Sequence, residues 1–301
     1  MKERMTQPRN QTEKHRLDEV RQWWDEHPMD YLGYSRKKLK TDNDYRAFFR
    51  SVDAVWWNST NQINSSNPAH LGDRLLSRSR IAGRRVLEIG CGMGSWTQTF
   101  VEWGCDVTAI DLTPYAVEMT RKRLKLAGLK ASVMEMDARD MRALVDQFDF
   151  IWSWGVIHHS PDTEQIVKEI HRLLKPGGEF GIMVYYKYSI HSTYVFLRFG
   201  LMRGEIFNYG WRNLQSRHSE GIEYGGPPLA RSWSKIGLKR LLAPFIVERV
   251  SFHSNPEVAL MLIPSRFGIG NLSQKIVPLR IKELITRRFG HAIYAYGHKD
   301  L

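Results

Sequence analysis

The chain is poor in cysteine, with two in 301 residues, Cys91 and Cys105. Two thiols so placed make neither a disulfide framework nor a metal site, so the fold must rest on an apolar core. No apolar run reaches the roughly 18 residues of a membrane span, and Arg198 interrupts the run from Tyr194 to Met202. Met1 to Arg16 is polar and charged; no secretory leader is expected, and the expected compartment is the cytoplasm. Two phosphate-binding signatures are missing as well. There is no GxxxxGK[ST] loop to cradle a triphosphate, and the dinucleotide pattern GxGxxG wants glycine or alanine where Ser95 stands. These absences argue against NAD, FAD and nucleoside triphosphates as ligands.

What is present is an apolar run, Val86-Leu87-Glu88-Ile89, breaking into Gly90-Cys91-Gly92-Met93-Gly94. It predicts a buried parallel strand and a turn whose backbone approaches a ligand closely, since glycine lacks a Cβ and takes positive φ. Val107 to Ile110 predicts a second strand ending in Asp111. An acid about 20 residues past such a turn is placed to accept from ribose hydroxyls. Three more strands are predicted over Ala131 to Ala138, Phe148 to Trp154 and Glu179 to Tyr186, the last announced by the turn Lys175-Pro176-Gly177-Gly178. Helices are predicted between them from Ser95 to Trp103, from Thr113-Pro114 to Gly128 and from Asp162 to Leu174. Alternation of this kind implies βαβ units with ligands at the carboxyl ends of the strands. The glycine turn, Asp111, Asp137 and the His158-His159 segment fall on that one edge.

The flanks divide the chain further. Residues 1–79 read as a helical cap, disordered to residue 12, with one helix from Lys14 to Glu26 and a second from Asp42 or Asn43 to about Trp57. A short helix is predicted around His70 to Ser77. Residues 80–186 form the ligand-binding core. Residues 187–230 are too long and aromatic for an idle connection, so they read as an inserted lid beside a second pocket. Residues 231–301 complete the sheet, with a helix capped by Ser232 or Ser234, strands around Phe245 to Phe252 and His291 to Tyr296, and a basic insertion from Pro256 to Arg288.

In this order the motifs resemble the class I S-adenosylmethionine-dependent methyltransferases, in particular the small-molecule branch with the ubiquinone and menaquinone biosynthesis enzymes (methyltransferase type 11). The resemblance covers about residues 80 to 186. It implies a Rossmann-like, seven-stranded, mostly parallel α/β sheet with helices on both faces and an antiparallel last strand. It implies S-adenosyl-L-methionine as cofactor, with Glu88, Gly90, Gly92 and Gly94 along its methionine part. Asp111 with Leu112 would hold the ribose, Asp137 with Ala138 the adenine edge, and Ser153 with Trp154 the sulfonium. The segment Val20 to Pro28 resembles cap segments that fold over the cofactor, where Trp23 and Trp24 would exclude water or anchor the cap.

Methyl transfer from a sulfonium is an in-line displacement, so the protein mainly positions the acceptor. A base is needed where the acceptor loses a proton, and histidine suits that role. His159 is the candidate base, with His158 beside it. In quinone O-methyltransferases a Glu-His pair here helps to bind a divalent metal; His158 replaces that glutamate, and no metal is expected. The expected function is methyl transfer to a small-molecule or lipid-precursor acceptor, with O-methylation preferred. Two other readings stand beside it, an RNA methyltransferase and a non-catalytic S-adenosylmethionine-binding sensor. The first draws on charge, because residues 187–301 hold 17 basic against 7 acidic side chains. Against it, the [DNS]-P-P-[YFW] motif of exocyclic amino methyltransferases is missing at Ser153 to Val156, so nucleic acid is not the expected partner. The same charge, with the mixed apolar and basic stretch Gln274 to Phe289, also suggests peripheral contact with an anionic membrane. The oligomeric state is left open.

Overall fold

Strand β1 (Arg85–Ile89) is buried on both faces, and its neighbours explain why it reads as an unbroken apolar run. It pairs in parallel with β2 (Asp106–Asp111) on one side and β4 (Phe148–Trp154) on the other, so that Ile89 stands beside Ile110 and Ser153. The sheet continues to β3 (Ser132–Glu135) beyond β2 and to β5 (Leu174–Tyr186) beyond β4. It closes with β8 (Ala292–His298), antiparallel to both β5 and β7 (Ile246–His253). The order is β3-β2-β1-β4-β5-β8-β7, with a two-residue strand, β6 (Ser232–Trp233), pairing with β5 off that path. The expected Rossmann-like α/β sheet with an antiparallel last strand is present. The direction in which successive strands are added reverses between β1 and β4, and a crevice opens there at the carboxyl ends.

The computed structural model describes residues 9–28, 39–59, 76, 78–145, 147–220, 225–254 and 277–301. The helix expected around His70 to Ser77 lies, but for Leu76, outside them. Each sheet face has its own core. Leu87, Ile89, Phe148 and Ile151 pack with Ile166, Ile170 and Leu173 of helix α6 (Thr163–Leu173). Val86, Phe150, Trp152 and Tyr294 pack with Trp96 and Phe100 of α4 (Ser95–Glu102). Between α4 and α6 runs α5 (Pro114–Ala127), whose N-cap Thr113 and αL cap Gly128 are the residues the sequence nominates.

The cap is helical, as expected, but α1 (Arg9–Glu26) starts before Lys14 and takes in residues assigned to disorder. It is tied down by an Arg21–Glu135 ion pair and by Asp25, which accepts from the Tyr115 N–H at 3.4 Å. Helix α2 (Asp42–Ser59) buries Phe48, Phe49 and Val52 against Met93 and Met119. Its Asp53 accepts from Ser95 Oγ at 2.7 Å and pairs with the buried Arg123 of α5. The short α3 (Arg78–Ile81) leads into β1.

Residues 175–178, expected as a turn, and Leu174, expected to end the preceding helix, belong to β5. Leu174 pairs with Phe148, and the sheet resumes at Glu179 opposite Phe150 after a bulge that absorbs Pro176 and the two glycines. The segment after β5 folds as α7 (Ile190–Val195), a π turn over Phe196–Leu201 and α8 (Glu205–Arg217). Ser234, not Ser232, caps α9 (Lys235–Leu241), because Ser232 is taken up by β6. Within the stretch proposed to meet a membrane, α10 (Leu279–Phe289) exposes Ile281, Leu284 and Phe289, and Gln274 to Ile276 lie outside the described residues. No helix among the described residues is long and apolar enough to cross a membrane. Both cysteines are buried free thiols.

Candidate active site

At the carboxyl ends of β1, β2 and β4 lies a cavity of about 490 Å³, walled by the glycine turn, the strand ends, α1 and the segment after β5. Roughly 300–1,000 Å³ is usual for a small-molecule site. Gly90, Gly92 and Gly94 all have positive φ, at 82°, 51° and 77°. They are glycines for different reasons. A Cβ on Gly90 would stand 2.2 Å from Val156 Cγ2, whereas one on Gly92 would meet nothing within 4 Å. Gly90 lets two loops pack; Gly92 leaves its backbone bare toward open space.

Asp111 organises this end. Its Oδ2 accepts from the Gly92 N–H at 3.0 Å, and its Oδ1 accepts from the Thr113 N–H and Oγ, each at 3.0 Å. A carboxylate offers about four acceptor directions, so one remains for a ligand. Burial raises its pKa against the pull of those three donors. Glu88, 2% exposed on β1, accepts from Thr97 Oγ, and burial pushes its carboxyl up to about 8. Asp137, past the end of β3, is held by Arg139 at 2.8 Å. Leu112, Ala138 and Trp154 line the cavity, but Ser153 does not. Ser153 points into the sheet from the opposite side of β4 to Trp154, fully buried, with its hydroxyl unpaired.

The other end is polar in a different way. His159 lines the cavity and is 5% exposed; its Nδ1 lies 2.7 Å from the Leu229 carbonyl. A carbonyl can only accept, so Nδ1 carries the hydrogen and Nε2 the lone pair. Burial drops the His159 pKa to about 4, which keeps the ring neutral. Its Nε2 has no hydrogen-bond partner and faces Glu220 Oε2 at 3.9 Å, itself unpaired. The other Glu220 oxygen accepts from the Tyr185 hydroxyl, and burial lifts this carboxyl to about 7. His158 is packed away, 0% exposed and outside the cavity lining, with its ring 4.0 Å from Tyr185 and 4.1 Å from His159. Trp24 of the cap lines the cavity and meets the His159 ring edge-on at 4.8 Å, while Trp23 packs on Trp24 and His27.

Residues 86–178 match the profile of the family described as Methyltransferase domain. The chain carries a class I S-adenosylmethionine-dependent methyltransferase domain. A ubiquinone biosynthesis O-methyltransferase of Xanthomonas oryzae pv. oryzae is 36% identical over 140 residues, 44% of this chain and 56% of that protein. Its namesake from Pseudomonas aeruginosa is 28% identical over 137 residues, 44% of this chain and 59% of that protein. The chain thus spans a little over half the length of these curated relatives. Among solved structures, a chain of the complex between the Haloferax volcanii Trm112 methyltransferase activator and a methyltransferase aligns over 86% of this chain and 97% of its own. Its TM-score is 0.53 at 17% identity. A methyltransferase of Bacillus halodurans aligns over 76% of this chain and 100% of its own, with TM-score 0.50 and 20% identity. At these identities the likeness concerns the fold.

The methyltransferase domain therefore has a cavity with two unlike ends. Sequence reasoning reached Glu88, Gly90, Gly92, Asp111, Asp137 and His159, which the fold gathers on one cavity; Gly94 does not line it and packs toward Thr120 and Arg123 instead. It missed Glu220, His191, His253 and His291, which line the same cavity from beyond the recognised core. The aromatic residues that suggested a lid pocket point elsewhere. Tyr188, Phe207 and Tyr209 are exposed, and the segment's cavity-lining residues are His191, Ser219 and Glu220. Among the described residues no group of three or more His, Cys, Asp or Glu is placed to hold a metal.

Proposed function

We propose that the protein transfers the methyl group of S-adenosylmethionine to a hydroxyl of a small-molecule acceptor, with His159 as general base. The observation that carries this reading is the 3.9 Å gap between His159 Nε2 and Glu220 Oε2, two buried, unpaired atoms facing each other. An unpaired Nε2 so placed needs a donor, and an acceptor hydroxyl that donates to it beside Glu220 is positioned to lose its proton to Nε2.

The glycine-turn end suits the cofactor. Asp111 and Asp137 line the cavity and, among the described residues, no lysine or arginine does, which favours a ligand bearing a sulfonium and an ammonium. Asp111 has the acceptor direction a ribose hydroxyl needs, with Leu112 beside it. Asp137 and Ala138 stand where the adenine edge would lie, and Glu88 with the turn would flank the methionine part. The N-terminus of α4, with its free N–H groups, suits the carboxylate. Trp154 and Trp24 wall off water.

Bound S-adenosylmethionine supplies an electrophilic methyl group and leaves as a neutral thioether. The acceptor O–H bond breaks as the new O–CH3 bond forms, and the proton passes to His159 Nε2. Leu229 holds the ring in the tautomer that can receive it, and ionised Glu220 stabilises the imidazolium that results. The segment 187–230 serves as the lid over this end through Glu220. A cytoplasmic enzyme touching an anionic membrane through the exposed apolar and basic face of α10 is consistent with a lipid-precursor acceptor.

The test is incubation with methyl-labelled cofactor and a host extract split into lipid, small-metabolite, RNA and protein fractions. Label is expected as an alkali-stable methyl ether in the lipid or metabolite fraction. Label in RNA, or none despite cofactor binding, would refute the reading in favour of an RNA methyltransferase or a sensor respectively.

A further inference from the structure

The glycine turn is braced from behind by α5, and α5 is in turn held by the cap. Thr120 Oγ donates to the Gly92 carbonyl at 3.0 Å, and Arg123 Nη1 donates to the Met93 carbonyl at 3.3 Å. Gly94 lets α5 come this close, since a Cβ there would stand 3.0 Å from Thr120 Oγ and 3.2 Å from Arg123 Cδ. Arg123 is buried, and its fork is shared among three elements. Nε donates to Gln98 Oε1 at 2.7 Å, Nη1 also donates to Ser95 Oγ at 3.2 Å, and Nη2 pairs with Asp53 of α2. Phe49, also of α2, covers the guanidinium with its ring centroid 5.3 Å from Cζ. The cap thus closes over the cation that holds the turn.

These contacts converge on Ser95. Its Oγ donates to Asp53 at 2.7 Å and accepts from Arg123, while the residue lines the cavity beside Met93 and Trp96. It opens α4, whose N-cap, Gly94, has no side chain to cap the first turn. The first bond along the helix runs from the Gln98 N–H to the Gly94 carbonyl at 2.9 Å. How the N–H groups ahead of it face the cavity therefore depends on how Met93 and Ser95 are held.

Resting on the placement of the cofactor's methionine part at the glycine turn, we propose that Arg123 and Asp53 are positioning residues for the amino-acid group of S-adenosylmethionine. Neither lines the cavity. They hold the backbone from Met93 to Ser95 so that it meets the ligand's carboxylate, and they make α2 a part of the cofactor site rather than a cover laid over it. A buried ion pair adds little net stability over apolar packing, so what it contributes here is geometry. A planar guanidinium supplies that geometry where a point charge would not.

Calorimetry on the full chain with two ligands tests this. One is S-adenosylhomocysteine; the other is methylthioadenosine, which keeps the adenosine and the thioether and lacks the amino-acid group. The unaltered protein is expected to bind the first about tenfold tighter or more. Arg123→Lys keeps a charge beside Asp53 but cannot span Met93, Ser95 and Gln98, so it should cost S-adenosylhomocysteine about tenfold and leave methylthioadenosine within about twofold. Asp53→Asn, which can still accept from Ser95, should cost the same ligand about threefold and serves if the first variant does not fold. The double variant should lose little more than Arg123→Lys alone, because both act through Ser95. Equal losses for the two ligands would reduce the pair to a support of the fold and overturn the proposal, as would no loss for either, fully additive losses, or failure of both variants to fold. Equal binding of the two ligands by the unaltered protein would instead refute the placement of the methionine part at the glycine turn, and the proposal with it.

Discussion

The glycine-turn end of the cavity is made of backbone and carboxylates at the tips of consecutive parallel strands, with Glu88 on β1, Asp111 closing β2 and Asp137 following β3. The histidine end is assembled from distant parts: His159 after β4, Tyr185 on β5, Glu220 past α8, His253 on β7 and His291 before β8. The first end is prepared by hydrogen bonds within the protein, since Asp111 already satisfies three donors. The second is left short of partners at His159 Nε2 and Glu220 Oε2. A rigid, self-satisfied end suits a fixed cofactor, whereas an end that waits for its ligand suits a site that must recognise one acceptor among many.

The sharpest way to break this contrast is at the base. His159→Ala should lower turnover by about 10²- to 10⁴-fold, the usual weight of a general base, while cofactor affinity by calorimetry stays within twofold. Comparable losses in both would mean that the two ends are one unit. Glu220 sharpens the same experiment through pH. Its carboxyl, lifted by burial to about 7, is protonated below that pH and can then hydrogen-bond to His159 Nε2, blocking the lone pair. Turnover should therefore rise with pH through about 7. Glu220→Gln should flatten that rise, and an unchanged profile would remove Glu220 from the proton path.

Asp111→Ala comes next. It removes a charged acceptor from the ribose position and releases the Gly92 N–H, so cofactor affinity should fall about 10- to 100-fold, the worth of one or two charge-assisted hydrogen bonds. The sheet core does not depend on this side chain, so the thermal transition should survive. Unchanged affinity would show that the glycine-turn end binds by shape alone.

How legible each end was follows from how it is built. The glycine-turn end is local: strand, turn and acid recur at short spacing, and the physics of a close backbone approach and a ribose acceptor can be read from Gly92 and Asp111 in the sequence. The sheet was legible for the same reason, since apolar runs of strand length alternate with helices whose caps, Thr113 and Gly128, announce themselves. The histidine end has no such signature. Glu220 is one acid in a segment dominated by aromatic residues, and aromatic content pointed to those residues as the pocket wall; the fold turns several of them outward. His291 became a neighbour of Tyr185, and His253 reached the same cavity, only through the antiparallel pairing of β8 between β5 and β7, an arrangement with no local spacing to mark it. Asp53, which bolts the cap to Ser95 and Arg123, is hidden in a helix whose pattern speaks only of packing.

Glu88 tests whether the glycine-turn end carries a cost of its own. With its carboxyl pushed up to about 8 by burial, against an ordinary 4.5, the folded protein keeps a proton that the unfolded chain has lost between those values. Where the folded state binds the extra proton, stability falls as pH rises. Glu88→Gln keeps the shape without the titration, so its advantage in urea denaturation should grow from pH 5.5 to pH 8, to about 1–3 kcal/mol. A difference that stays constant with pH would mean that Glu88 is ionised in the folded protein.

The smallest effect is expected at Ser153, and it separates the resemblance from the geometry. The family pattern puts this residue beside the sulfonium, yet its side chain lies on the far side of β4 from Trp154, fully buried, with an unpaired hydroxyl. Removing a buried hydroxyl that has no partner returns its desolvation cost and leaves only a small void, so Ser153→Ala should leave stability unchanged or raise it by about 1 kcal/mol. Cofactor affinity should stay within twofold. A tenfold loss of affinity with unchanged stability would mean that the strand turns Ser153 toward the ligand when the cofactor binds. The glycine-turn end would then be adaptable, and the contrast with the histidine end would disappear.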